Sequence, residues 1–361
     1  MFFDFLLRSF RIFLFPLALL YWLAISVRNL LFDKKVIRSA KFGLPLICVG
    51  NLAVGGTGKS PMVEYILDLL LGRYKVATLS RGYKRRTKGY LLANTTTTAL
   101  EIGDEPMSFH LKFPNVPVAV GEQRIEAIPQ LLHDCPDTEV IILDDAFQHR
   151  SIAPDVNVLL TEYSNLFTRD FYLPTGDLRD QKKRYKDAQI IVVTKCPEYL
   201  TWEEKQKITK EINPIQEQTI FFTAIEYGKP YHFVFKTTKE LETDEEVLLI
   251  TGISNPKPLK KYVEDRSNSY QLLQYRDHHI FTVDDWKEIN KTFEKFDTEN
   301  KRILTTEKDM VRLDKFSQEM NSLPFYVVPI KHKFLFGEQE LFNSTLLELI
   351  KKFEREKNYG T

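Results

Sequence analysis

Through the first 200 residues, short apolar runs rich in β-branched residues alternate with segments whose apolar positions recur every three or four residues. The runs are ICVG at 47–50, VATLS at 76–80, VPVAV at 116–120, VIILDD at 140–145, VNVLL at 156–160 and QIIVVTK at 189–195. Helices are expected from Pro61 to about Leu71 and from Arg124 to His133. Strands that are apolar on both faces need cover on both faces, the situation of a parallel sheet flanked by helices. The pattern therefore predicts an α/β fold, with a parallel-sheet domain over residues 34–220.

Beyond a charged stretch at 198–210, FFTAIEYGKPYHFVFK at 221–236 alternates on both sides of Gly228, Lys229 and Pro230 and predicts a β-hairpin linker. The α/β rhythm then resumes with VLLITGI at 247–253, helical patterns at 258–266 and 284–296, RILTT at 302–306 and FYVVPI at 325–330, giving a smaller C-terminal α/β domain over 221–361.

Ahead of both lies IFLFPLALLYWLAISV, the uncharged run from Ile12 to Val27, between Arg8 and Arg11 on one side and Arg28, Lys34 and Lys35 on the other. Phenylalanines from Phe2 to Phe15 cover nearly every face, which suits lipid better than one-sided packing. Residues 1–33 are thus expected to form a hydrophobic membrane-anchoring helix. Because the run is shorter than the about 20 residues of a full span, a tilted span, a re-entrant segment and an in-plane helix are all compatible with it. No small-x-small cleavage site follows it.

Composition adds exclusions. Fifty basic against forty-nine acidic residues leave a net charge of +1, so no global charge points to a nucleic-acid partner. Cys48, Cys135 and Cys196 are odd in number and sit at or near apolar runs, which reads as reduced core thiols in a cytosolic compartment, not a disulfide framework or a zinc site. No motif specifies an oligomeric state.

The candidate chemistry begins at GNLAVGGTGKSP, residues 50–61, which follows a strand and opens a helix. In such a P-loop NTPase-type arrangement, backbone amides over Val54, Gly55, Gly56, Thr57, Gly58, Lys59 and Ser60 wrap phosphate oxygens, Lys59 reaches the β and γ phosphates, and the Ser60 hydroxyl meets Mg²⁺. The strict pattern asks for glycine at position 53, where this chain has Ala53. VIILDD ends in Asp144 and Asp145, the form of a strand whose terminal carboxylate holds Mg²⁺ directly or through water. ATP and Mg²⁺ are the expected cofactors. Further polar clusters follow strands: SRGYKRR at 80–86, GDEP at 103–106 as a tight polar loop, GEQR at 121–124, PTGDLRD at 174–180 and RDHH at 276–279. Arginines that neutralise phosphate and a carboxylate that accepts a hydroxyl proton suit phosphoryl transfer to an anionic acceptor.

Taken in order, GNLAVGGTGKSP, SRGYKRR, GDEP, GEQR, LDDAFQHR, LPTGDLRD, TGISNP, RDHHIFT and TTEKDMVRL make the chain resemble the tetraacyldisaccharide 4′-kinase family, the lipid A 4′-kinases. The resemblance implies transfer of the ATP γ-phosphate to the 4′-hydroxyl of an acylated glucosamine disaccharide 1-phosphate, at the cytoplasmic face of the inner membrane. It implies Asp104 as catalytic base, assisted by His278 in preference to His279; Lys59 in catalysis; Asp144 and Asp145 with Ser60 at the metal; and Tyr83, Arg124 and Arg179 at the substrate. Asp180 stands where the family has glutamate. Asp104 and His278 fall on opposite sides of the expected division at residue 220, so the fold has to bring them together. The alternative is a membrane-associated switch ATPase of the deviant-Walker type, in whose signature lysine position this chain has Val54.

Overall fold

The computed structural model describes residues 11–359. In β1 (Leu46–Asn51), Leu46 and Cys48 face one hydrophobic layer while Ile47 and Val49 face another, and the same alternation recurs along the neighbouring strands. These are β2 (Val76–Ser80), β3 (Leu91–Leu92), β4 (Val118–Val120), β5 (Val140–Asp144), β6 (Val156–Glu162), β7 (Ile190–Thr194) and β8 (Thr219–Tyr227). Both faces are covered: one by Met62, Val63, Ile66 and Leu67 of the helix Lys59–Leu70 with Phe342, Leu346 and Ile350 of the helix Gln339–Tyr359, the other by Ile128 and Leu131 of Arg124–Asp134 and Ile208 of Trp202–Ile212. Two-sided burial is what the uninterrupted apolar runs require.

A second, smaller sheet is built from β9 (Tyr231–His232), β10 (Glu246–Thr251), β11 (Ser269–Gln274), β12 (Lys301–Thr306) and β13 (Phe325–Val328), in the order β11-β10-β12-β13-β9. Its own two layers contain Trp286, Ile289 and Phe293 on one side and Leu259, Tyr262 and Val263 on the other. After Pro329 the chain returns to the large sheet as β14 (Ile330–Phe334), completing the order β14-β8-β7-β6-β1-β5-β2-β4-β3. That sheet is mixed: β3 runs antiparallel to β4 and β14 antiparallel to β8, while the other pairs are parallel.

Two features differ from the sequence expectation. Residues 221–236 form no hairpin: β8 pairs with β14 and β9 with β13, and the Gly228 amide donates to the Pro329 carbonyl at 2.9 Å where the two crossings pass. Local alternation marks a strand but cannot name its partner, and here the partner lies about a hundred residues on. For the same reason residues 221–361 contribute to both sheets, β14 and the helix Gln339–Tyr359 packing with the first.

The N-terminal helix, Phe15–Asp33, has Pro16 in its first turn, where a missing amide hydrogen is no loss. Of its residues only Ala18, Ile25 and Asn29 are buried, a single stripe, and Leu17, Leu19, Leu20, Trp22, Leu23, Val27 and Leu30 stand exposed. From Ile12 to Asp33 the segment is 22 residues, long and apolar enough by length and composition to cross a membrane. The phenylalanines and Arg8 of residues 1–10 lie outside the described residues.

In β14 the side chains alternate, so Lys331 and Lys333 are exposed while His332 is buried. His332 Nε2 lies 2.9 Å from the Gly58 carbonyl, which can only accept, so Nε2 carries the proton and Nδ1 accepts from Thr223 Oγ1 at 2.9 Å. Burial pushes this imidazole down to about 4. The folded state therefore holds fewer protons than the unfolded state between about pH 6.5 and 4, and stability declines as pH falls through that window, by about 3 kcal/mol in all. Unfolding free energies measured at pH 7, 5.5 and 4 are expected to fall more steeply for the wild type than for His332→Gln; parallel slopes would show that His332 does not titrate in this way.

Candidate active site

Parallel strands present their C-terminal ends at one edge, and the candidate residues gather there. β1 ends at Asn51; the glycine loop follows, and Gly58, at φ +84°, caps the helix Lys59–Leu70. The loop is held from three directions. Arg179 N donates to Leu52 O at 2.9 Å and Val54 N to Asp177 O at 2.8 Å, a short antiparallel pairing with the 177–179 segment. Asn51 Nδ2 donates to Thr57 Oγ1 at 3.0 Å, and Thr194 Oγ1 at the end of β7 to the Thr57 carbonyl at 2.8 Å. His332 supports Gly58 from below. The Val54 amide is thus engaged by protein, whereas Gly55, Gly56 and Gly58 donate to no carbonyl among the described residues.

The two adjacent aspartates at the end of β5 have opposite environments. Asp145, at φ +51°, receives both Arg179 guanidinium nitrogens, Nη1 at 3.0 Å, and has Lys59 Nζ at 3.7 Å. Burial opposes its charge, but Lys59 and Arg179 outweigh burial and hold it at about 2. Asp144 is buried and pushed up to about 7 by burial first, then by Glu105 and Asp145. Among the described residues its Oδ2 has only Ser80 Oγ at 3.4 Å, and its Oδ1, also buried, has no donor. A buried carboxylate oxygen without a partner among the described residues, beside the ionised Asp145, is a hard-oxygen set that fits Mg²⁺, which needs one or two carboxylates when phosphate oxygens complete its shell. Among the described residues no cluster of three His, Cys, Asp or Glu forms an all-protein metal cage.

Arg124 is fully buried, its guanidinium donating to the Gly121 carbonyl and, at 3.2 Å, to the Asp144 carbonyl. It reaches no open surface. Its guanidinium clamps the ends of β4 and β5.

GDEP is not a loop. Gly103, at φ +93°, separates the turn of helix Ala99–Ile102 from the helix Asp104–Lys112, whose first residue is Asp104 and whose third is Pro106. Glycine and proline read as breakers in sequence, yet proline is tolerated in a first helical turn. Across from it, His278, at φ +63°, sets Nδ1 2.8 Å from Asp104 Oδ2. Non-glycine residues with positive φ are uncommon, and Asp145 and His278 both adopt it at this edge. Arg312 Nη2 reaches the same Asp104 oxygen at 2.6 Å. Burial would raise the Asp104 carboxyl, but Arg312 and His278 hold it below its ordinary value. His279 turns away, bonding Asp285 at 2.9 Å and stacking on Tyr275. The exposed ring of Tyr83 packs edge-on to His278, 5.9 Å between centroids.

Against known proteins, the family model described as tetraacyldisaccharide-1-P 4′-kinase matches residues 10–351. The chain belongs to the tetraacyldisaccharide-1-P 4′-kinase family. It is 41% identical over 356 residues to the tetraacyldisaccharide 4′-kinase of Phocaeicola vulgatus, covering 96% of this chain and 97% of that one, and 42% identical over 340 residues to that of Flavobacterium johnsoniae, covering 94% and 97%. A crystal structure of LpxK from Aquifex aeolicus, its "apo" form in complex with ATP, superposes with a TM-score of 0.73 at 27% identity, covering 94% of this chain and 99% of that one. Membership in this 4′-kinase family displaces the switch-ATPase alternative.

Within this 4′-kinase fold, Lys59, Asp144, Asp145 and Arg179 form one cluster, and Asp104, His278 and Tyr83 a second, joined by Glu105, whose charge acts on Asp144. Sequence reading missed Asn51, Thr194, His332 and Arg312. Asn51 and Arg312 lay within quoted motifs, GNLAVGGTGKSP and TTEKDMVRL, and Thr194 within the run QIIVVTK, but none of these patterns singled the residue out; His332 carried no signal. Gly58 combines φ +84° with His332 Cε1 at 3.1 Å from where a Cβ would stand. Gly58→Ala is expected to lower ATP affinity at least roughly tenfold while costing about 1–2 kcal/mol of stability; calorimetric titration showing unchanged ATP binding would contradict this loop geometry.

Proposed function

We propose that the chain transfers the γ-phosphate of ATP to the 4′-hydroxyl of a tetraacylated glucosamine disaccharide 1-phosphate, working from the cytoplasmic face of the inner membrane. Family membership over nearly the whole chain supports the 4′-kinase activity and its acceptor. The single geometric observation that carries the mechanism is the 2.8 Å contact between Asp104 and His278, made between residues 174 positions apart.

Lys59 and the free amides of Gly55, Gly56 and Gly58 would hold the phosphates, and strand, loop and helix from Leu46 to Leu70 support reading the large sheet as a P-loop NTPase-type domain. Ser60, Asp144 and Asp145 would hold Mg²⁺, which when bound neutralises charge on the phosphates. Asp104 accepts the proton of the acceptor hydroxyl. A carboxylate held below its ordinary value is a weak base, which suffices where the transition state is loose and nucleophile deprotonation runs late. His278 orients that carboxylate through Nδ1 and shares its proton. Tyr83 and Arg179 are assigned to the acceptor side, Tyr83 because it is exposed beside His278.

With labelled ATP and a lipid A disaccharide precursor, label is expected in the lipid. Asp104→Ala and His278→Ala should lower turnover about 100-fold or more, and His279→Ala far less. Near wild-type turnover of Asp104→Ala or His278→Ala at saturating ATP and acceptor would sink the assignment.

The apolar face of the helix Phe15–Asp33 supports membrane anchoring, bringing the site to an acceptor whose acyl chains lie in the bilayer. Deleting residues 1–30 should move the protein from the membrane fraction to the soluble fraction, with activity retained on detergent-dispersed lipid; unchanged fractionation would remove the helix as the anchor.

A further inference from the structure

Arg312 belongs to the helix Glu307–Leu313 of the smaller sheet, and its side chain is almost fully enclosed. One arm of its guanidinium, Nη2, donates to Asp104 Oδ2 at 2.6 Å and lies 3.1 Å from His278 Nδ1; the other, Nη1, lies 3.3 Å from Asp309 Oδ1. Asp309 is itself fully buried and immobilised: its Oδ2 accepts from Gly252 N at 2.9 Å, Thr306 Oγ1 at 2.8 Å and Thr251 Oγ1 at 3.4 Å, the ends of β10 and β12. A chain of fixed contacts therefore runs from the edge of the smaller sheet through Asp309 and Arg312 to Asp104 on the large one. A planar guanidinium can address two carboxylates at set directions, which a lysine cannot.

We infer that Arg312 is a positioning residue for phosphoryl transfer: with His278 it occupies Asp104 Oδ2, fixes the carboxylate plane, and leaves Oδ1 as the oxygen that meets the acceptor hydroxyl. No group among the described residues hydrogen-bonds Oδ1. This rests on the reading of Asp104 as proton acceptor. The titratable and charged groups that face Asp104 are His278 and Arg312, with Glu105 next on its own helix; Asp277 and Lys308 lie behind His278, and Asp309 behind Arg312. Of these, Arg312 is a permanent cation in direct contact, so removing it raises the proton affinity of Asp104 and moves the acid limb of the rate profile to higher pH.

The test uses the full chain in detergent with ATP and the disaccharide 1-phosphate. Arg312→Ala and Arg312→Gln should lower kcat roughly 10- to 100-fold with KM for ATP changed less than about threefold, shift the acid limb upward, and recover part of kcat when guanidinium ion is added. In an Asp104→Ala background, Arg312→Ala should cost little more, because the two act as one unit. If Asp104→Ala is inactive while both Arg312 variants keep kcat within about threefold of wild type, or lose kcat with the acid limb unmoved, the inference fails alone. If Asp104→Ala is itself active, the base assignment fails and takes the inference with it. Should Arg312→Ala not fold, Arg312→Gln, which keeps size and a donor, decides by the same criteria.

Discussion

Lys112 stands between two carboxylates, the buried Glu64 and the half-buried Glu307, bonding Glu64 closely and Glu307 at 3.0 Å. Each of the three lies on a different helix: Glu64 on the one that starts with Lys59, Lys112 at the end of the one that starts with Asp104, and Glu307 at the start of the one that carries Arg312. Two acids share one base. Burial, then the charge of Glu307, pushes Glu64 up to about 7, while Lys112 is pushed above its ordinary value by the two carboxylates in spite of burial. A buried ionic cluster of this kind is weak evidence for stability, since desolvation offsets most of the attraction. Its consequence is geometric. With the three helices fixed at one end, Lys59, Asp104 and Arg312 are fixed at the other, and the cluster adds to the His278–Asp104 and Arg312–Asp104 contacts and to the crossings at Gly228 and Pro329 in joining the two sheets.

The glycine loop shows the same economy at smaller scale. Its amides are useful to phosphate only if held in one conformation before the ligand arrives, since ordering them afterwards would consume binding energy. Three remote segments do the holding: the 177–179 segment along one side, Thr194 at the Thr57 carbonyl, and His332 at the Gly58 carbonyl. The histidine comes from β14, reached only after the chain has built the smaller sheet and returned. The excursion between β8 and β14 therefore both delivers His278 and Arg312 to Asp104 and closes the floor of the phosphate loop.

How much of this was legible in the sequence depended on whether the controlling interaction was local. Buried parallel strands announce themselves by uninterrupted apolar runs, and β2 matches VATLS residue for residue. The loop was legible because glycine freedom and helix opening are local properties. β11, SYQLLQ, was not, since an edge strand mixing polar and apolar residues resembles a loop. The helix at Asp104 was misread because Gly103 and Pro106 break helices in general and begin them in particular. The burial of Arg124 was not legible, because no sequence pattern distinguishes an arginine that reaches solvent from one wrapped around two carbonyls. His278 and His279 differ through backbone: φ +63° at the first swings its ring to Asp104, and the second falls to the capping residue Asp285.

The N-terminal helix is joined to the catalytic edge by its polar stripe. Tyr21 Oη donates to the Arg179 carbonyl at 3.2 Å, Asn29 Nδ2 to Asp180 Oδ1 at 2.8 Å, and Arg11 to the 174–177 loop, while Arg150 holds Asp33 at 2.7 Å and the Asn29 carbonyl at 2.9 Å. The segment these contacts grip is the one that lines the phosphate loop through Leu178 and reaches Asp145 through Arg179. Asp180, aspartate where the resemblance implies glutamate, is enclosed here and serves the helix, so the shorter side chain is accounted for by the Asn29 amide it accepts. A tether that only held the protein near lipid would need no such register. A helix whose exposed side is apolar and whose buried side is hydrogen-bonded to residues 174–181 is fixed in orientation relative to the glycine loop and Asp145, because the same segment pairs with Ala53 and holds Asp145 through Arg179.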